Sequence, residues 1–510
     1  MTLFALFIVA SVLVIWLAAW NVRSLRGRQL LLLVACYLFY SIWGIAFLSL
    51  LVASSLVNFA LGSLLRRRPS IGYLWLGIAL NVLLLAFFKY LPPILETGAP
   101  GSWYDTLAHA IIMPIGLSFW TFQALSYLID VYLEEELDPS VLEFCLYMAF
   151  WPTVVSGPVC RLGQMLRQFR QEPVLSSDNL SVGVLRVVKG LFMKMCLAQL
   201  MASGFTPGGG VTAGFDDVRG GWGGIDVWLL GLGFGFMLFF DFAGYSHMVI
   251  GTSRIFGMRL PENFDRPFLS TTPSIFWTRW HMSLSFWIRD YIYKPLAMAR
   301  REIWWLYVSI IVSMTLFGLW HGPKWTYVAY GAYHGVVLVL HRSGQRLTSR
   351  LAFPAPRVLG TCLAWAATLL LMSLGYILFR ANDLSHAAAM LRAAFTPSAY
   401  GHFAMPRSFY VLTIGIVLAY FSCAAGGAVL GWLRTRYRDA AREHAPRVTV
   451  FPARHAPSAA MFVGAVVDFL ATKLWWWLGP ALCVLGAWIA LAVSAQRAAI
   501  SVTPFIYTLF

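Results

Sequence analysis

The sequence predicts an all-α polytopic membrane protein with about eleven transmembrane helices plus re-entrant and amphipathic helices. Of its 510 residues, 59% are hydrophobic and only 12% are charged, and the mean hydropathy is +0.70. An ordinary soluble domain has about twice that share of charged residues, so lipid must cover part of this surface. Aromatic residues make up 16% of the chain, with 22 Trp, which suits interfacial belts and a packed bundle interior.

The net charge of +16 is distributed as in membrane proteins. Arg residues cluster in short loops between apolar runs, and the most basic of these loops is Arg434–Arg447. Cationic loops remain on the cytoplasmic side, so we expect these loops to be cytoplasmic and the amino terminus to lie outside. This distribution argues against nucleic-acid binding.

Apolar runs of about 20 residues mark the expected spans. A first run without a small-residue cleavage site argues against a removable signal. Val141–Pro158 is broken by proline and glycine and predicts a re-entrant hairpin. We find no internal repeat, which disfavours an inverted-repeat transporter. The predicted spans are Met1–Trp20, Leu30–Leu65 (an out-and-back pair), Ile71–Leu91, Ala110–Leu133, Val182–Gly204, Val227–Ile250, Ile303–Trp320, Tyr327–Leu340, Val358–Leu378, Phe409–Trp432 and Phe462–Val493.

Polar residues at membrane depth indicate function, because burying them in hydrocarbon is costly. Five of the ten His lie between Asp241 and His341, whereas solvated loop histidines would be spread more evenly. These are His247, His281, His321, His334 and His341. The seven Cys show no C-x-x-C spacing and are expected to be free thiols; lipidation of Cys160 is an alternative.

The segment Phe276–Leu296 alternates aromatic residues with polar ones. It is too polar to span a membrane, and one interpretation is an interfacial amphipathic helix anchored by Trp. Arg289 beside Asp290 could be an ion-paired joint. Alternatively, Arg279 and Arg289 could contact the phosphates of a cytoplasmic cofactor, since guanidinium groups suit bidentate recognition.

His321 follows about 18 apolar residues, and Gly322-Pro323 breaks the helix directly after it. A buried imidazole there would stay neutral and able to accept a proton, as a general base must. The alternative is an interfacial histidine packed among Trp320 and Trp325. The His spacings include no i, i+4 pair and no H-E-x-x-H, so a metal site is not expected. Hydrolase-elbow and Walker motifs are also absent.

Four stretches of the sequence stand out together, in a fixed order. They are P-I-G-L-S-F-W-T-F-Q-A-L-S-Y-L-I-D-V-Y (Pro114–Tyr132), F-D-F-A-G-Y-S-H-M-V-I-G (Phe240–Gly251), P-E-N-F-D-R-P-F (Pro261–Phe268) leading into R-W-H-M-S-L-S-F-W-I-R-D-Y, and L-W-H-G. A weaker fifth stretch is W-P-T-V-V-S-G-P (Trp151–Pro158). With these stretches the chain resembles the membrane-bound O-acyltransferases, in particular the bacterial branch of alginate and peptidoglycan O-acetyltransferases.

The resemblance implies three parts: N-terminal transmembrane helices at 1–105, a catalytic core with a central tunnel at 106–345, and C-terminal transmembrane helices with a Phe-Ile-Tyr tail at 346–510. It implies that His321 is the catalytic histidine and that His281 is the second polar residue of the site. His247, where the family usually has Asp, and Ala297–Arg300, in place of a glycine-rich turn, depart from the pattern. Residues expected to bind substrate or cofactor are Arg279, Arg289, Asp290, Ser283, Trp320, Tyr245 and His247.

The final residues, Pro504–Phe510, resemble the ending of family members that work with an extracytoplasmic partner. Tyr507 is therefore a candidate acyl carrier; the alternative is an interfacial anchor.

The resemblance implies an inner-membrane O-acyltransferase, most simply an O-acetyltransferase, that acylates an extracytoplasmic polysaccharide or cell-wall polymer. The expected donor is acetyl-CoA or another cytoplasmic acyl thioester, with no bound cofactor. The expected partners are membrane lipids, the polymer and a periplasmic SGNH or serine-esterase-like acyltransferase. Alternatives are D-alanyl transfer to a teichoic acid-type polymer, lipid O-acylation, and transport without covalent chemistry.

Overall fold

The computed structural model describes residues 22, 24–96, 101–133, 136–171, 176–206, 208–217, 221–348 and 357–437. Within these ranges the chain forms helices, turns and loops and no β-strand. The predictions for Met1–Trp20, Phe462–Val493, Tyr507 and most of Arg434–Arg447 lie outside the described residues.

In the described residues of its first part, up to the loop at residue 170, the chain forms nine helices. Their bounds are α1 Leu25–Ser41, α2 Ile45–Arg67, α3 Ile71–Lys89, α4 Leu91–Leu95, α5 Trp103–Ala110, α6 Leu117–Tyr132, α7 Val141–Ala149, α8 Trp151–Val154 and α9 Leu162–Phe169.

The middle and last parts contain twelve more α-helices and four short 3-10 or π turns in the described ranges. The α-helices are α10 Ser177–Leu191, α11 Gln199–Ser203, α12 Val211–Asp216, α13 Gly224–Ile255, α14 Pro273–Arg279, α15 Met282–Ile288, α16 Lys294–Met298, α17 Ile303–His321, α18 Trp325–Thr348, α19 Arg357–Arg380, α20 Leu384–Phe395 and α21 Arg407–Tyr437. The turns are Phe192–Ala198 (π), Pro267–Leu269 (3-10), Arg289–Tyr293 (π) and Pro397–Gly401 (3-10).

Six helices in the described ranges are long and apolar enough to cross a membrane. This finding confirms the prediction of an all-α polytopic membrane protein. The count of about eleven stays a prediction, because two of the predicted spans lie outside the described residues and others form shorter helices. The six are Ile45–Arg67, Ile71–Lys89, Gly224–Ile255, Ile303–His321, Val358–Arg380 and Arg407–Gly426.

Helix α13 is the central helix of the bundle. It is 32 residues long, apolar on all sides and buried over most of its length, as expected for a helix surrounded by others. It packs against α10 at two facing glycines. A Cβ on Gly190 would lie 2.4 Å from the Gly244 carbonyl oxygen, so only hydrogen at that position allows the two backbones to approach this closely.

Two segments that the sequence marks as irregular are broken helices in the structure. The predicted re-entrant segment is divided into α7 and α8 at Phe150. The segment from Phe268 to Arg301 is divided into three short helices rather than one. For Phe276–Leu296, the expectation that Trp anchors an interfacial helix is wrong, because Trp280, Leu284 and Trp287 are buried in the protein core.

Candidate active site

The two histidines singled out by sequence face one cavity. His281 comes from the loop before α15, and His321 is the last residue of α17. Both side chains are almost entirely buried, with 2% and 9% exposure. The remaining lining is apolar or aromatic and consists of Leu238, Phe242, Trp280, Phe317, Tyr330 and Phe379.

His321 is placed by the abrupt end of α17. Gly322 has an extended backbone and donates its N–H to the Leu319 carbonyl over 3.0 Å, and Pro323 cannot continue the helix. The His321 ring then packs between two phenylalanines. The edge-on centroid distances are 5.0 Å to Phe317 and 4.9 Å to Phe379. An imidazole in such surroundings favours its neutral form, because burial disfavours charge.

His281 is placed by an unusual backbone conformation. It has φ 41° and ψ 54°, a left-handed conformation that only a few per cent of non-glycine residues adopt. The next residue, Met282, donates its N–H to the Asn263 carbonyl over 2.8 Å. The His281 ring meets Phe242 edge-on at 4.6 Å. Such backbone outliers persist where the surroundings enforce them and concentrate at functional sites.

Asn263 is the hub of the hydrogen bonds that hold the His281 loop. Its side-chain amide donates to the Ser246 hydroxyl over 3.1 Å. Its side-chain oxygen accepts from the Ser283 hydroxyl over 2.6 Å, and that hydroxyl in turn accepts the Val159 N–H over 2.9 Å. All four groups are buried, so the network connects the His281 loop to α13 and to the segment after α8.

Close packing of α17 against α18 also positions His321. A Cβ on Gly318, one turn before His321, would lie 2.2 Å from the Tyr327 carbonyl oxygen and 2.8 Å from the Gly331 nitrogen. The two helices therefore touch backbone to backbone at this point. Tyr330 of α18 is thereby brought to the cavity wall, 6.2 Å from the His321 ring.

The end of α17 also contacts α3. Lys89 is 8% exposed, donates from its ammonium group to the Trp320 carbonyl and lies 5.2 Å from the centre of the Trp320 ring. The Tyr90 hydroxyl donates to the Leu319 carbonyl over 2.7 Å. Two consecutive residues of one helix end thus hold the turn that carries His321.

A polar cluster lies where α15 continues into a π turn. Asp290 accepts hydrogen bonds from Arg289 at 2.9 Å, from Lys294 at 2.8 Å and from Arg161. Burial alone would raise the pKa of the Asp290 carboxyl, but hydrogen bonds from these three cations outweigh burial and hold its pKa well below the usual range. Three cations around one carboxylate leave the cluster positively charged.

The predicted binding residues occupy different places. Ser283 belongs to the Asn263 network, and Arg289 and Asp290 belong to the polar cluster. Trp320 packs beside both histidines, with ring centroids 4.8 Å from His321 and 6.4 Å from His281.

Like these four, the three other predicted binding residues are not among those that line the cavity. The Arg279 side chain is half-buried, and its backbone carbonyl accepts the Asp265 N–H over 3.0 Å. Tyr245 is a half-buried residue of α13. His247, also on α13, has Lys189 and Arg186 of α10 as its charged neighbours.

Sequence reasoning missed three residues of this region. Asn263 lies inside the quoted P-E-N-F-D-R-P-F stretch, and its place in that motif was a usable signal. Lys89 ends an apolar span, where a lysine usually reaches the interface, so nothing local indicated burial. Phe379 is one of many apolar residues in its helix. For metals, no group of three or more His, Cys, Asp or Glu within the described ranges is arranged to hold an ion.

The helical bundle brings two buried histidines to one cavity, an arrangement that fits an enzyme acting within the membrane. The model of the membrane-bound O-acyltransferase family matches residues 84–380. The chain belongs to this family and is an O-acyltransferase.

Curated relatives agree with this assignment. The probable alginate O-acetylase AlgI of Pseudomonas putida is 33% identical over 84% of this chain and 86% of its own length. The peptidoglycan O-acetyltransferase of Helicobacter pylori is 31% identical over 71% of this chain and 73% of its own length. The teichoic acid D-alanyltransferase of Streptococcus thermophilus is 34% identical, over 44% of this chain and 56% of its own length.

Proposed function

We propose that this protein takes an acetyl group from a cytoplasmic thioester and passes it across the inner membrane for O-acetylation of an extracytoplasmic polysaccharide or cell-wall polymer. The observation that carries the proposal is the pairing of His281 and His321 in one buried cavity. The two alginate- and peptidoglycan-acetylating relatives support acetyl as the acyl group, since their alignments cover more than two thirds of both chains.

In the proposed reaction His321 is the general base. It takes the proton of the acceptor hydroxyl as the oxygen attacks the thioester carbonyl. The tetrahedral intermediate then collapses, the carbon–sulfur bond breaks, and the leaving thiolate takes the proton back from His321. His281, neutral in its buried setting, donates an N–H hydrogen bond to the developing oxyanion or orients the hydroxyl. No bound cofactor is needed for this sequence of steps.

We assign the donor side to the polar cluster around Asp290. The expected donor, acetyl-CoA, carries phosphates, and Arg289 is half-exposed in a cluster with surplus positive charge. Arg279 lies earlier in the same stretch and is also available as a phosphate ligand. Arginine suits this role because its planar guanidinium group can donate two hydrogen bonds to a pair of phosphate oxygens.

The acceptor polymer is proposed from the names of the relatives, and the acyl carrier and partner are proposed from the resemblance of the carboxyl-terminal sequence. Tyr507 would accept the acetyl group transiently, or a Ser on a periplasmic SGNH or serine-esterase-like acyltransferase would do so and complete transfer to the polymer. Both routes require the same chemistry at His321. Replacing Tyr507 by Phe separates them, because only a tyrosine carrier needs that hydroxyl.

The proposal is tested by supplying membranes that contain the polymer with radiolabelled acetyl-CoA and counting label in the polymer fraction. We expect His321→Ala to abolish labelling while the protein remains folded in the membrane. His109→Gln is the matched control, because that histidine is exposed on α5 and should transfer normally. Normal polymer acetylation by His321→Ala would contradict the proposal, and label recovered in lipid instead would redirect it to lipid O-acylation.

A second candidate is D-alanyl transfer, which is favoured by the similarity to a teichoic acid D-alanyltransferase. The same buried base would serve, since a D-alanyl thioester reacts with a hydroxyl in the same way. Membranes supplied with a D-alanyl carrier protein instead of acetyl-CoA distinguish the two. Label from the carrier without label from acetyl-CoA would favour this alternative.

A further inference from the structure

Lys89 is a buried cation at the end of a membrane span. Its side chain is 8% exposed, and no carboxylate in the described ranges forms an ion pair with it. Burying an ammonium group without a counter-ion is costly, because the group loses its hydration. A lysine at the end of an apolar helix can usually extend to the interface instead. Its burial in this place therefore indicates a role.

Lys89 and Tyr90 together cap the carboxyl-terminal end of α17. The last four carbonyls of any helix lack partners within that helix, and hydrocarbon has no water to supply them. Here the Lys89 ammonium donates to the Trp320 carbonyl, and the Tyr90 hydroxyl donates to the Leu319 carbonyl over 2.7 Å. His321 is the next residue, so the capped turn is the one that carries the proposed base.

The same helix end has an electrostatic effect on His321. Aligned peptide dipoles place about half a negative charge at a helix carboxyl terminus, and this charge stabilises a protonated histidine there. A protonated imidazole cannot act as a base. Among the described residues, His281 across the cavity and the phenols of Tyr327 and Tyr330 also face His321.

We propose that Lys89 is a positioning residue whose positive charge offsets the negative end of α17 and, together with burial, keeps His321 in the neutral, proton-accepting form. This inference rests on the proposed role of His321 as the base. Lys89 acts through two features at once: its hydrogen bond fixes the last turn, and its charge opposes a second positive charge nearby. Arg380, the last residue of α19, forms an ion pair with Asp216 at 2.6 Å. Its charge is therefore balanced by that carboxylate and does not replace the charge of Lys89.

The test compares pH profiles of acetyl transfer in permeabilised membrane vesicles supplied with radiolabelled acetyl-CoA. Lys89→Gln keeps a donor for the Trp320 carbonyl but removes the charge. We expect the acidic limb of its profile to move to higher pH by about one unit, with the KM for acetyl-CoA unchanged. Lys89→Arg keeps the charge, so the acidic limb of its pH profile should lie at the same pH as in the wild type. Tyr90→Phe removes the hydroxyl that caps the Leu319 carbonyl without changing charge. We expect its turnover to fall and the acidic limb of its pH profile to stay at the wild-type position.

A matched control distinguishes this role from general support of α3. Asn81 is buried on the same helix and bonds to Asn58 over 2.7 Å. Asn81→Ala should lower the thermal midpoint of unfolding without shifting the acidic limb of the pH profile. The inference would be overturned if the acidic limb of the Lys89→Gln pH profile lay at the wild-type pH, or if Lys89→Arg shifted that limb as far as Lys89→Gln does. If His321→Ala is inactive in the same vesicles, such a result contradicts the Lys89 role alone; if His321→Ala transfers acetyl, the proposed function fails first.

Discussion

The contact between α17 and α18 offers a sharp test of how His321 is positioned. Gly318 has no side chain, and its neighbours on α18 are backbone atoms that cannot rotate away. Gly318→Ala adds one methyl group one turn before His321 and changes neither charge nor hydrogen bonding. We therefore expect the substitution to act by displacing the helix.

The size of the displacement follows from the geometry. The new Cβ would lie 2.2 Å from the Tyr327 carbonyl oxygen, whereas ordinary contacts begin at 3.4 Å. The two helices must separate by about 1 Å at this point. A misplacement of that size between a catalytic group and its substrate can cost about 100-fold in rate. We expect turnover of Gly318→Ala to fall by about this factor.

The assay measures acetyl transfer per folded protein, with the folded amount determined by size-exclusion chromatography in detergent. Gly344→Ala is the matched control, because Gly344 lies on the same α18 and a Cβ there meets nothing within 4 Å. Alanine at that position should leave transfer unchanged and favour the helix slightly. A folded Gly318→Ala protein with wild-type turnover would refute the positioning role of this contact.

Three further predictions follow from buried contacts away from His321. Asn263→Ala removes one hydrogen bond from each of two buried serine hydroxyls, and we expect a loss of about 3 kcal/mol of stability together with lower acetyl transfer, measured by thermal unfolding and labelling. Burial would raise the pKa of Glu143, but hydrogen bonds from Arg170 and Ser140 lower it from 4.5 to about 2. That stabilisation is complete above pH 4.5 and lost as pH falls towards 2, so the thermal midpoint should fall over that window in the wild type and stay flatter in Glu143→Gln. Gly190→Ala should lower the thermal midpoint by separating α10 from α13, whereas Gly360→Ala, in open space, should not; equal midpoints would contradict the close packing.

The fold class could be predicted from sequence because lipid imposes simple rules on composition. Apolar runs and arginine-rich loops follow from the cost of burying charge, and they marked all six spans within the described residues. The broken segment after Val141 was also visible, because proline and glycine cannot continue a helix. The expectation that Trp anchors Phe276–Leu296 at the lipid surface was wrong, since local periodicity does not distinguish a lipid surface from an aromatic protein interior.

The site was predictable in part for the same reason. His281 and His321 were identified because they are polar residues at the predicted depth of the membrane and because of the family resemblance. The structure places both at one cavity. Lys89 was not identified, because its contact with Trp320 joins residues 231 positions apart and follows from packing alone. The left-handed backbone of His281 was equally hidden, since no local pattern marks a conformation enforced by Asn263 from another segment.

The central claim is that one buried imidazole joins a cytoplasmic donor to an external acceptor, and sidedness tests it directly. In sealed inverted vesicles the cytoplasmic face is outermost, so added radiolabelled acetyl-CoA reaches only that face. We expect wild-type vesicles to place label on enclosed polymer that added esterase cannot remove until the membrane is opened, and His321→Ala vesicles to place none there. Label that remains accessible to esterase in sealed vesicles, or protected label formed without His321, would contradict the account.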